Sequence, residues 1–114
     1  MLAKPNRIRA TDDFRATMRR GVKVVGANTV TYVRSGESGA QARFGFVVSK
    51  QVGNAVHRNL VRRRLKAACA ELVAGGYSAA DLVIRALPSA SDAPWSALRA
   101  EVFSARDVAE RRRG

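Results

Sequence analysis

The stretch RFGFVVSKQVGNAVHRNLVRRRLKAACAELV, residues 43–73, changes its hydrophobic period partway along, and that change decides the fold. At its start Phe44, Phe46 and Val48 alternate with Arg43, Gly45 and Val47, the two-residue repeat of a strand running from Arg43 to Ser49. From about Gly53 to Val73 the apolar positions become Val61, Leu65, Ala68 and Leu72, spaced i, i+4, i+7 and i+11, which is one stripe of a helix ended by Gly75-Gly76. Upstream, residues 22–35 are rich in Val and Thr, and Gly26 divides them into a short strand and a longer one holding Val30, Thr31, Tyr32 and Val33. Ser35-Gly36-Glu37-Ser38-Gly39 reads as a turn, so a hairpin is expected between the strand before it and the strand from Arg43. A first helix is expected from Thr11, with Thr11 as cap, Asp12 and Asp13 at its positive end and Gly21 as its stop.

Downstream, residues 81–87 form a mostly apolar run suited to an interior strand, closed by Pro88. A last helix starts near Pro94, with Trp95, Leu98, Val102, Ala105 and Ala109 as its stripe. The order is helix, three strands, helix, strand, helix, within a single domain spanning residues 1–114. Residues 1–10 are basic, contain Pro5 and show no period, which predicts a flexible extended arm; residues 111–114 are expected to form a flexible tail.

Charge narrows the function. Lys and Arg number 21 against 9 Asp and Glu, and 17 of the 21 are arginine, whose planar fork grips phosphate bidentately or stacks on a base. No acidic residue occurs between Glu37 and Glu71, although Arg43, Lys50, Arg58, Arg62, Arg63, Arg64 and Lys66 do. Helical spacing places Asn59, Arg62, Arg63 and Lys66 on one face, flanking or opposite the apolar stripe. Arg62 and Lys66, four apart and both positive, repel in isolation, so an external polyanion is expected to compensate them. Before this helix, Gly53 and Asn54 serve equally well as a plain strand-to-helix connection or as an approach to a phosphate held by free N–H groups.

Scarcity excludes several chemistries. Cys69 is the only cysteine and His57 the only histidine, which leaves no internal disulfide, no cysteine zinc cluster and no paired-imidazole mechanism. Asp12 and Asp13 diverge by about 100° on a helix, and helix-end electrostatics explains them better than a metal does. Phe14 and Met18 share a face, which more often means core than a stacking site. No apolar run approaches the roughly 20 residues of a membrane helix, and a cytoplasmic location is expected.

The string Arg43-Phe44-Gly45-Phe46-Val47-Val48-Ser49-Lys50-Gln51-Val52-Gly53-Asn54-Ala55-Val56-His57-Arg58-Asn59, continued by Arg62-Arg63-Arg64-Leu65-Lys66, resembles the protein subunit of bacterial ribonuclease P. Asn6-Arg7-Ile8, Asp12-Asp13-Phe14 and Asp81-Leu82-Val83-Ile84-Arg85 extend the likeness over nearly the whole chain. The resemblance implies an α+β sandwich, similar to the second domain of ribosomal protein S5, with a four-stranded sheet, helices and a left-handed βαβ crossover, whereas the default hand is right. It also implies a ribonuclease P holoenzyme, an endoribonuclease whose catalytic RNA subunit removes the 5′ leader of precursor tRNA with Mg2+ bound mainly by the RNA. No protein residue is then catalytic, none holds a metal, and neither DNA nor membrane is a partner.

Carried onto this chain, the RNA-subunit contacts fall on Lys50, Asn54, Arg58, Asn59, Arg62, Arg63, Arg64 and Lys66, and the leader contacts on Phe14, Met18, Tyr32 and Arg9. Two departures stand out. Leu60 replaces the second arginine of the family's Arg-Asn-Arg motif, and Arg64, about 40° round the helix, is expected to supply the missing charge. Met18 stands where an aromatic residue is common. The competing readings are a ribosomal-type structural RNA-binding protein and a basic domain for DNA or anionic membrane, the last disfavoured because no basic helix carries a large apolar face.

Overall fold

The computed structural model describes residues 2–113. Seven elements follow in the expected order: α1 (Thr11–Arg20), β1 (Val22–Val25), β2 (Thr29–Ser35), β3 (Arg43–Val47), α2 (Ala55–Ala74), β4 (Ala80–Ala86) and α3 (Trp95–Arg113). The strands form one sheet in the order β1-β2-β4-β3, antiparallel except where β3 runs parallel to β4. This is the α+β sandwich, and α2 is the crossover from β3 to its parallel neighbour.

The hairpin expected across Ser35–Gly39 does not form. β4 lies between β2 and β3, pairing from Thr29↔Ala86 to Ser35↔Ala80 on one side and from Arg43↔Asp81 to Val47↔Arg85 on the other. The reason is the composition of β4: Leu82, Val83 and Ile84 are all fully buried, and a strand apolar on both faces belongs inside the sheet.

Alternation gives each strand two different faces. One face presents Val33, Phe44, Leu82 and Ile84, which are buried with Val61, Leu65, Ala68, Cys69 and Leu72 of α2 and with Leu98, Val102 and Ala109 of α3. The stripes read from the sequence are therefore the packed faces of both helices, and burial pushes the Cys69 thiol pKa up. Glu101 of α3 fastens the β1–β2 turn, accepting from Asn28 N (3.0 Å), Asn28 Nδ2 (2.6 Å), Thr29 N (3.1 Å) and Thr29 Oγ1 (2.9 Å). The other face carries α1 over Ile8, Val30, Tyr32 and Val83.

Both expected ends differ from the sequence reading. Leu2, Asn6 and Ile8 are buried, Asn6 Nδ2 donates to the Ala42 carbonyl at 2.8 Å, and Ile8 N donates to the Phe44 carbonyl at 2.9 Å. Residues 2–8 are thus seated along the edge of β3, because Leu2 and Ile8 are apolar anchors with no helical or strand period to announce them. At the other end residues 111–113 continue α3, while Gly114 lies outside the described residues. The cap of α1 is Ala10, with no side-chain bond, and Thr11 is already helical; α2 begins two residues later than expected, at Ala55.

Candidate nucleic-acid interface

Two surfaces collect the residues singled out in the sequence. The first is the outer side of α2, where Asn59, Arg62, Arg63 and Lys66 line a single shallow concavity of about 340 Å³ with Ala67. None of Arg62, Arg63 and Lys66 has an ion pair or hydrogen bond among the described residues, so their charges stay uncompensated. Such a face offers phosphate ligands without first breaking internal bonds.

The remaining positions of that set scatter. Asn54 is the N-cap of α2, its Oδ1 accepting from His57 N at 3.1 Å, so one of the free N–H groups expected to greet a phosphate is already satisfied. Lys50 lies in a 3₁₀ turn, Lys50–Val52, and shares a different hollow with Arg85 and Pro88. Arg58 is half-buried, with Nε enclosed and unbonded. Arg64 does not take the place of the arginine missing at Leu60. Its Nη1 donates to the Ala93 carbonyl at 2.8 Å, which draws the guanidinium toward the start of α3 instead of onto the basic face.

The second surface lies between α1 and the sheet. Tyr32 is buried, while Phe14 and Met18 of α1 are half-buried beside it with Val47 and Leu87. Phe14 and Met18 therefore pack on this small core with part of each side chain left exposed, and Arg9 is exposed just before α1. Gly45 makes this approach possible, because a Cβ at that position would run into the ring of Phe14.

An ion network beside the cleft is not legible in the sequence. Arg43 donates through Nε and Nη2 to both oxygens of Asp81, at 2.9 and 2.8 Å, and through Nη1 to Asp13 of α1 at 3.2 Å. Arg34 adds a bond from Nη2 to Asp81 at 3.0 Å. Burial raises the Asp81 pKa, but hydrogen bonds and charge from Arg43 and Arg34 outweigh it and hold the carboxyl below its usual range. The bond to Asp81 raises the pKa of Arg43, against the opposing effect of burial. Asp81 and Asp13 lie 47 and 21 residues from Arg34, and no local pattern links them; the only sequence signal is that Arg43 falls on the same strand face as Gly45.

No helix among the described residues is long and apolar enough to cross a membrane. A family model described as Ribonuclease P matches residues 2–109. Ribonuclease P protein components of Kocuria rhizophila and Clavibacter michiganensis subsp. michiganensis are 46% and 44% identical to the chain; the first match covers 98% of this chain and 98% of the relative, the second 92% and 93%. The structure of the Staphylococcus aureus RNase P protein superposes with a TM-score of 0.81 at 25% identity, covering 93% of this chain and 96% of that one.

Proposed function

The chain belongs to the ribonuclease P protein family, which makes ribonuclease P RNA its partner, and from that premise we propose that it serves the holoenzyme by holding RNA on two separate surfaces. The outer face of α2 binds the catalytic RNA subunit through Asn59, Arg62, Arg63 and Lys66. The cleft under α1 takes the single-stranded 5′ leader of precursor tRNA, with Phe14, Met18 and Tyr32 as apolar and aromatic platforms. The observation that carries this reading is the unpaired basic face of α2. Cleavage itself belongs to the RNA, which supplies the site for Mg2+. Among the described residues no three His, Cys, Asp or Glu side chains are grouped to hold a metal, and the Asp81 and Asp13 carboxylates already face arginines, so no step is assigned to a metal on the protein.

The test is cleavage of a 5′-extended precursor tRNA at low magnesium by the matching RNA subunit, with and without this protein. Strong stimulation is expected. Replacing Arg62, Arg63 and Lys66 together by Ala should abolish it and lower the slope of log affinity against log salt by about 2 to 3, close to one for each phosphate no longer neutralised. Absence of stimulation by the unaltered protein, with tight binding to other structured RNA, would instead support the ribosomal-type reading.

A further inference from the structure

α1 is weakly anchored by apolar burial: of its ten residues only Thr17 is buried, and Phe14 and Met18 are half-covered. Its position over the sheet must therefore be set by something else. Strand β3 offers two features on the face toward α1, Arg43 and Gly45, separated by the two-residue strand repeat. Helix α1 meets them with two consecutive residues. Asp13 accepts from Arg43 at 3.2 Å, and Phe14 lies against Gly45 where no Cβ intervenes. Arg43 is itself immobilised by its two bonds to Asp81, which is only 9% exposed at its side chain and is shared with Arg34. The chain from β4 through Arg43 to Asp13 is thus a rigid strut, and Phe14 is its neighbour on the helix.

We propose that Asp13, Arg43 and Asp81 are positioning residues that fix the height of α1 above the sheet and so preorganise the cleft floored by Tyr32 and Gly45, without touching the RNA themselves. This rests on the reading of that cleft as the site of the single-stranded leader. Binding to a cleft already held open at the right width costs less ordering than binding to a loosely docked helix, so a broken strut weakens leader binding selectively. Asp13 is the informative residue. It is partly exposed, at the outer end of the strut, and its replacement leaves the Arg43–Asp81 bonds in place.

The experiment measures affinity of the reconstituted holoenzyme for precursor tRNA with a single-nucleotide leader and with a leader several nucleotides long. Asp13→Asn is expected to weaken the long-leader complex about fivefold, with the short-leader complex and the affinity for the RNA subunit unchanged, and Asp13→Glu to restore part of the loss. In combination with Phe14→Ala, Asp13→Asn should add little beyond Phe14→Ala alone, because both act through the seat of α1. An equal loss for both leaders marks a merely structural role, full additivity marks an independent interaction, and no change or a gain in affinity marks Asp13 as idle or repulsive toward phosphate; each overturns the proposal. If the unaltered holoenzyme itself does not distinguish the two leaders, the cleft reading fails first and the proposal with it.

Discussion

The two faces of the sheet are made from alternate residues of the same strands, and they are held in opposite ways. The face toward α2 and α3 is closed by Leu65, Leu72, Leu98 and Val102, each buried to 1% exposure or less. The face toward α1 is half-covered, with Tyr32 and Val83 at its centre, an ion network at one end and at the other the exposed Arg85, unpaired among the described residues. Apolar packing is non-directional and grows with area, so it suits a side that only has to be stable. Ion pairs and one glycine contact set direction with little burial, which leaves room beside them for a ligand. On the proposed reading the closed face of the sheet serves stability and the half-covered face serves the leader, while the RNA subunit is held on the far side of α2, away from the sheet.

Truncation on the closed face should have the largest effect. Leu65→Ala removes a fully buried side chain by which α2 enters the core it shares with α3 and the sheet, and is expected to cost about 3 kcal/mol in urea denaturation, with RNA affinity per folded molecule unchanged. A loss of leader affinity larger than the loss of folded protein would break the division. Next comes Asp81→Asn, which leaves Arg34 and Arg43 facing each other with only the partly exposed Asp13 as counter-charge and should cost about 2 kcal/mol at neutral pH. Its pH dependence has a definite sign. The Asp81 pKa is lowered in the folded state, so its contribution is complete above the unfolded carboxylate value near about 4 and disappears as the pH falls below it. The gap between parent and variant should therefore close on acidification, read as converging urea midpoints. Smallest is Gly45→Ala, expected to cost about 1 kcal/mol by pressing on the tip of the Phe14 ring. This variant should nevertheless reduce affinity for a long leader by more than Leu65→Ala does, which sharpens the contrast between the faces.

The same contrast explains what the sequence discloses. The closed face is periodic, so Val61, Leu65, Ala68 and Leu72 on α2 and Leu98, Val102 and Ala105 on α3 are legible residue by residue. The run Leu82-Val83-Ile84 marks an interior strand, but periodicity does not say which strands flank it, and a turn-rich segment after Ser35 imitates a hairpin while in fact leading past the end of β4. On the basic face, spacing groups Asn59, Arg62, Arg63 and Lys66 correctly. It misplaces Arg64, because a long side chain one turn from Leu60 is drawn away by a carbonyl 29 residues later, and it misses the network of Arg34, Arg43 and Asp81, which only the strand register assembles. The first ten residues mislead for a simpler reason: two apolar anchors, Leu2 and Ile8, are too few to form a period.

The interior place of β4 also fixes the order in which the molecule can be finished as it leaves the ribosome. When β1 and β2 have emerged they form only a two-stranded ribbon, marginal in water, and β3 follows with no partner of its own. The strand that joins them, residues 80–86, comes after the whole of α2, and until then Arg34 and Arg43 lack the Asp81 carboxylate they share and the segment 2–8 lacks a fixed edge to lie against. All of β4 must therefore be synthesised before the sheet closes, and closure then settles the segment 2–8 and the late residues together in one cooperative, long-range step.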